Sequence, residues 1–143
     1  MAGLLKKSIV EQLYKFQESD WDQDATEIIN SIKSRFDGKK IVVRSAALNE
    51  DTAESSNAGA FRSVLGVDSS DAESIRSAIE SVIRSYREKG SGNPHNRILV
   101  QTQTVDVVSS GVVLTRDYNG SPYYVVNYSE GADTSTVTGG ARR

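Results

Sequence analysis

Arg44 closes the run Ile41-Val42-Val43-Arg44 and opens the small, polar stretch Ser45-Ala46-Ala47-Leu48-Asn49-Glu50-Asp51. Three β-branched residues in a row predict a short buried strand. A strand that ends in arginine fixes the base of the side chain while the planar guanidinium reaches into the loop, a geometry suited to gripping two phosphate oxygens at once. The competing use is a salt bridge to Glu50 or Asp51. The two uses are compatible, because a carboxylate can orient an arginine that then holds phosphate. Further on, Asn57-Ala58-Gly59-Ala60-Phe61-Arg62 runs into the apolar Val64 and Leu65. Gly59 would let the backbone approach an anion closely, or would serve as an ordinary turn. Arg62 either adds positive charge near that anion or is a solvated surface charge. An arginine-tipped strand with a glycine loop is the pattern of a nucleotide-phosphate site.

Little else in the chain offers chemistry. Cysteine is absent, which removes thiolate catalysis and cysteine metal sites. The single histidine, His95, sits in Asn93-Pro94-His95-Asn96 and reads as a turn residue. No acidic or histidine cluster has metal-ligand spacing, no Gly-x-x-x-x-Gly-Lys loop occurs, and a Ser-His-Asp arrangement has no anchor. A formal charge of −2 argues against a nucleic-acid binder. No apolar run approaches the roughly 20 residues that span a bilayer, and residues 1–10, whose few leucines are followed at once by Lys6 and Lys7, lack a signal peptide's apolar stretch. The expected setting is the cytoplasm, with neither membrane nor nucleic acid as partner.

The elements that must position Arg44 follow from periodicity. Leu5, Ile9, Leu13 and Phe16 recur at near-helical spacing and predict a helix over 4–17. A polar break over 17–24, rich in acids, precedes a second apolar stripe of Ile28, Ile29, Ile32 and Phe36, stopped at Asp37-Gly38. A strand at 40–44, a long polar loop over 45–62 and a strand at 63–67 follow. Ser70-Asp71-Ala72-Glu73 reads as a capping box that opens a helix, lined by Ile75, Ile79, Val82, Ile83 and Tyr86 and ended at Gly90. Strands are expected at 97–103, 107–116 and 123–128, the last two joined through a hairpin turn at Asn119-Gly120. The order points to an α+β fold with flanking helices on a mixed or antiparallel sheet. Residues 1–39 read as a helical segment ahead of the domain at 40–143.

The chain also resembles a known family. Arg44 through Asp51, Ala58-Gly59-Ala60-Phe61-Arg62-Ser63, Ile98-Leu99-Val100-Gln101 and Ser110 through Asp117 are similar, in order, to motifs of the ATP-binding domain of phosphoenolpyruvate synthase and pyruvate phosphate dikinase. A segment from Gly131 to Gly139 extends the likeness. The resemblance implies a partial ATP-grasp-like domain in which Arg44 contacts ATP phosphates and Gly59 and Ala60 lie in a loop closing over them. It places Gln101, Thr102 and Gln103 at a hinge whose backbone meets the adenine edge. Ala60 and Arg62 stand where the family commonly has Gln and Glu. It further implies a fragment of a larger phosphotransferase, in which phosphate passes from ATP through a phosphohistidine on another domain to pyruvate or another small acceptor. Magnesium is expected only in the full-length protein. Pro122 to Tyr128 and Thr134 to Gly139 look more like the divergent subgroup of capsule and surface-sugar gene clusters than like the metabolic enzymes. The alternative is a non-catalytic nucleotide-binding or regulatory module.

Overall fold

Alternation of apolar and polar residues builds the first half of the chain around a sheet. In the computed structural model, which describes residues 8–46, 51–52, 55–56, 62–90, 92–115 and 123–131, the elements are β1 (Leu13–Gln17), α1 (Glu18–Phe36), β2 (Lys40–Ala46), β3 (Asp51–Thr52), β4 (Ser55–Ser56), β5 (Ser63–Asp68), α2 (Ala72–Glu88), β6 (Arg97–Thr102), β7 (Ser109–Leu114) and β8 (Val125–Glu130). They fall into two units, 1–103 and 104–143. The α+β expectation holds, and every strand pair is antiparallel.

In the first unit four strands lie in the order β1-β6-β2-β5. Ile41 and Val43 of β2, Ile98 and Val100 of β6, Phe16 of β1 and Val67 of β5 point to one face and are buried there. Against them pack Ile28, Ile29, Ile32 and Phe36 of α1 and Ile75, Ile79, Val82, Ile83 and Tyr86 of α2. The helical residues recur every three or four positions, the period that brings side chains to one stripe.

The helix expected over 4–17 is not formed where the structure describes it. Leu13–Gln17 is an edge strand paired with β6, from Leu13 opposite Gln101 to Gln17 opposite Arg97. The spacing of Ile9, Leu13 and Phe16 fits a helix, but Tyr14 and Phe16 also alternate with Leu13, Lys15 and Gln17. Phe16 is buried and Tyr14 packs against the core, while Ile9 is 90% exposed. The period of two prevails because the neighbouring strand supplies both hydrogen bonds and a face to bury. Residues 1–7, the remainder of that expected helix, lie outside the described residues.

The polar break before the second apolar stripe survives as a kink. Helix α1 starts at Glu18, but Asp24 leaves helical geometry at φ −150° and ψ 78°. Its carboxylate accepts Glu27 N–H at 2.9 Å, so it caps the part of the helix that follows. The stop at Asp37-Gly38 is as expected, both residues being left-handed at φ 44° and 71°. At α2 the cap is Asp71 rather than Ser70. Asp71 accepts Glu73 N–H at 3.1 Å, whereas the Ser70 hydroxyl is engaged by Asp68 at 2.6 Å. An ionised carboxylate is the stronger acceptor, which moves the cap one residue on.

The second unit is built on the β7–β8 pair; β7 is shorter at both ends than the strand expected at 107–116, and β8 is shifted two residues on from the strand expected at 123–128. The turn expected at Asn119-Gly120 lies outside the described residues. Gly111 faces Tyr128 across the pair, and a Cβ at Gly111 would stand 2.5 Å from the Asn127 carbonyl oxygen. Only glycine allows that approach. Gly111→Ala therefore pushes the strands apart, a strain on the order of 1–3 kcal/mol. Amide exchange at Val112–Leu114 should accelerate at least tenfold, with exchange in α2 unchanged.

Candidate functional site

Both helices cover one face of the four-stranded sheet, and the alternate residues form the other. Three rows cross that second face in register: Leu13, Gln101 and Val42; Lys15, Leu99 and Arg44, continuing to Ser63; then Gln17, Arg97 and Ala46. Lys15, Arg44 and Arg97 are all exposed. Neighbouring strands run about 4.8 Å apart, so Lys15 and Arg44 flank Leu99 at a separation of about 10 Å, with Arg97 diagonal to both. Side chains of this length can converge on one multiply charged anion. Among the described residues none of the three has a carboxylate partner. The salt bridge considered for Arg44 involves Glu50 and the Asp51 side chain, which lie outside the description.

Arg44 does not sit at a frayed strand end. The Gln103 N–H donates to the Lys40 carbonyl at 2.9 Å, which makes this opposed pair a bonded rung. Rungs recur at every second residue of an antiparallel pair, so Arg44 and Leu99 form one as well. The base of the guanidinium is thus held by the centre of the sheet.

Arg62 lies elsewhere. Because Arg44 opposes Ser63, Arg62 belongs to the helix-covered side. Its guanidinium donates to Ser81 Oγ at 3.0 Å and its backbone N–H to Ser85 Oγ at 3.3 Å, both on α2. Sequence proximity suggested a second charge beside Arg44; strand parity separates them.

The 101–103 segment is woven into the sheet. Thr102 N–H donates to the Gln12 carbonyl at 3.2 Å, and Gln103 N–H is the rung already described. The Gln103 side chain accepts Gly66 N–H at 2.6 Å. Gly66, at φ 71°, occupies the register shift by which four residues of β5 (Val64 to Val67) match three of β2 (Val43 to Ile41). Only Gln101, half-buried, presents its side chain beside the cation rows. Gly59 and Ala60 lie outside the described residues. His95 is a turn residue, its ring Nδ1 3.0 Å from Gln17 Oε1.

Lys15 and Arg97 escaped the sequence reading because only cross-strand register unites them with Arg44. The local signal was there: polar residues alternating with Tyr14 and Phe16, and with Ile98 and Val100. Other hollows lie on the helical side. A cleft of about 310 Å³ is lined by Trp21, Asp22, Glu80, Ile83, Arg84 and Arg87, where Arg87 is paired with the buried Glu18 at 2.8 Å. The Glu18 carboxylate holds the Arg87 proton more firmly than usual, raising its pKa. Among the described residues no group of three His, Cys, Asp or Glu could hold a metal ion, and no described helix is long and apolar enough to cross a membrane.

The family model for the pyruvate phosphate dikinase AMP/ATP-binding domain matches residues 6–142. No curated protein matches the chain.

At the end of the sheet, Asp68 shows how local hydrogen bonds set a charge. Its carboxylate accepts the Ser70 hydroxyl and backbone N–H and meets Lys40 at 3.2 Å. Those contacts lower its pKa from 3.8 to about 2. A carboxyl depressed in the folded state stabilises the fold fully above its ordinary value, and that stabilisation is lost as pH falls through the folded one. The Asp68 contribution should therefore disappear between about pH 4 and about pH 2. Thermal melting at about pH 5 and about pH 2.5 should show a smaller acid loss for Asp68→Asn than for the parent.

Proposed function

The chain belongs to the pyruvate phosphate dikinase AMP/ATP-binding domain family, and from that premise we propose that the open face of its four-stranded sheet grips the phosphates of ATP. The observation that carries this reading is the meeting of Lys15, Arg44 and Arg97 on one face, with Arg44 anchored at a bonded rung. A guanidinium held in this way loses little freedom when it engages two oxygens. Lys15 and Arg97 add charge along the phosphate chain. Residues 1–39 thus contribute Lys15 to a face otherwise carried by 40–143.

Gln101 is the polar side chain of this face suited to the ribose or base. The hinge N–H groups of Thr102 and Gln103 are engaged within the sheet, so adenine recognition through the backbone falls to the carbonyl groups or to residues beyond 103. In the parent reaction, phosphate would pass from ATP to a histidine on another domain and then to pyruvate or another small acceptor, in the cytoplasm. The cation rows would then hold and orient the phosphates and offset charge that develops during transfer. The phosphate recognition proposed here is that of Arg44 and its neighbours, and magnesium would come with the full-length protein. A nucleotide-binding module without turnover would use the same face.

Calorimetric titration with magnesium ATP tests the face. A charge-assisted hydrogen bond contributes roughly 1.5–3 kcal/mol, so Arg44→Ala should weaken binding about ten- to a hundredfold. Arg97→Ala and Lys15→Ala should each cost several-fold, and Arg62→Ala less than about twofold because its guanidinium faces α2. A larger loss from Arg62→Ala than from Arg44→Ala would place the phosphate grip on the other side of the sheet.

A further inference from the structure

Three like charges on successive strands, none directly opposite another, repel one another until an anion arrives. Something must keep the strand ends from splaying. Two consecutive residues of α2 reach the backbone at that point. The buried Tyr86 hydroxyl accepts Ala46 N–H at 3.0 Å and donates to the Arg97 carbonyl at 2.6 Å. Ser85 Oγ accepts Arg62 N–H at 3.3 Å, just before β5 begins, and donates to the Val82 carbonyl at 2.6 Å.

Ladder periodicity explains the position. With Lys40 and Gln103 a bonded rung, the rungs that follow are Val42 with Gln101, Arg44 with Leu99, and Ala46 with Arg97. The Tyr86 hydroxyl therefore stands in the last rung, bridging a donor and an acceptor that would otherwise face each other. It sets the spacing of the strand ends immediately beyond Arg44 and at Arg97 itself. The ring beneath it is wholly buried in the core shared by sheet and helices, so the hydroxyl is held against a rigid base.

We infer that Tyr86, assisted by Ser85, is a positioning residue for the phosphate-gripping face: its hydroxyl fixes the separation of the strands that carry Arg44 and Arg97. This rests on the nucleotide reading above. Both of these bonds are to backbone groups of the strands, so the effect of the bridge on ligand passes through the arginines.

Tyr86→Phe keeps the buried ring and removes the bridge. Titration with magnesium ATP should show a three- to tenfold loss of affinity, the scale of one ordinary hydrogen bond. In an Arg44→Ala background the same substitution should cost measurably less, because one of the groups it positions is gone. Ile79→Val, a core change away from the face, supplies a variant of lowered melting temperature that should bind ATP as the parent does. Ser85→Ala, which leaves the apolar core intact, should lose about twofold and stands in if Tyr86→Phe does not fold. Unaltered ATP affinity in Tyr86→Phe or its stand-in, or an equal loss with and without Arg44, overturns the positioning role while leaving the nucleotide reading in place. Failure of the parent chain to bind ATP overturns that reading and this inference with it.

Discussion

The pairing of β2 with β6 is the constraint from which the rest follows. Both outer strands of the sheet are bonded to it, β1 through β6 and β5 through β2. Its register puts Ile41 and Val43 with Ile98 and Val100 under the helices. A slip of one residue would exchange those side chains for Arg44, Leu99 and Arg97. Each buried aliphatic residue contributes roughly 1.5–3 kcal/mol, and an unpaired buried charge costs several more. Packing of the core and exposure of the arginines are therefore one decision, made by the parity of the strands.

The helices fix this sheet as a platform through specific polar contacts as well as through burial. Glu18, at the start of α1, receives Arg87 from the end of α2, while its backbone N–H donates to the Asn96 carbonyl at 2.9 Å. Arg76 of α2 lies 5.5 Å over the Trp21 ring of α1. The two helices are thus tied to each other and to the turn that leads into β6. Only the Glu18 side of this pair is buried, Arg87 being exposed; loss of Arg87 would leave the enclosed carboxylate without its partner, which is costly, so the pair holds α2 in register with the strand ends that Ser85 and Tyr86 touch.

What could be read in the chain divides along local and non-local lines. Helix α2 was legible because five apolar residues repeat at its period without competition. Strand β2 was legible because Ile41, Val42 and Val43 favour no other element. Leu13 to Gln17 satisfied two periods at once, and only the open edge of β6 decided between them. The cap of α2 moved from Ser70 to Asp71 because Asp68, an upstream neighbour, claims the serine. At the site, Arg44 announced itself by its place after a β-branched run. Lys15 and Arg97 could not, since 29 residues separate Lys15 from Arg44 and 53 separate Arg44 from Arg97 in the sequence. For Arg62 sequence left two uses open for the converse reason: near the same loop in sequence, it belongs to the opposite face.

The irregularity at Gly66 reaches beyond the register it adjusts. β5 is an outer strand among the described residues, and the open row of backbone groups on such a strand is a template on which further chains can add. Leu65, 68% exposed beside it, would make a flat strand adhesive. The extra residue bends and twists β5 at that point, and the Gln103 side chain holds the bend by occupying Gly66 N–H. The opposite margin, β1, carries Lys15 on its outward face. The two borders of the four-stranded sheet are thereby one deformed and one charged, neither offering the straight, apolar edge on which aggregation grows.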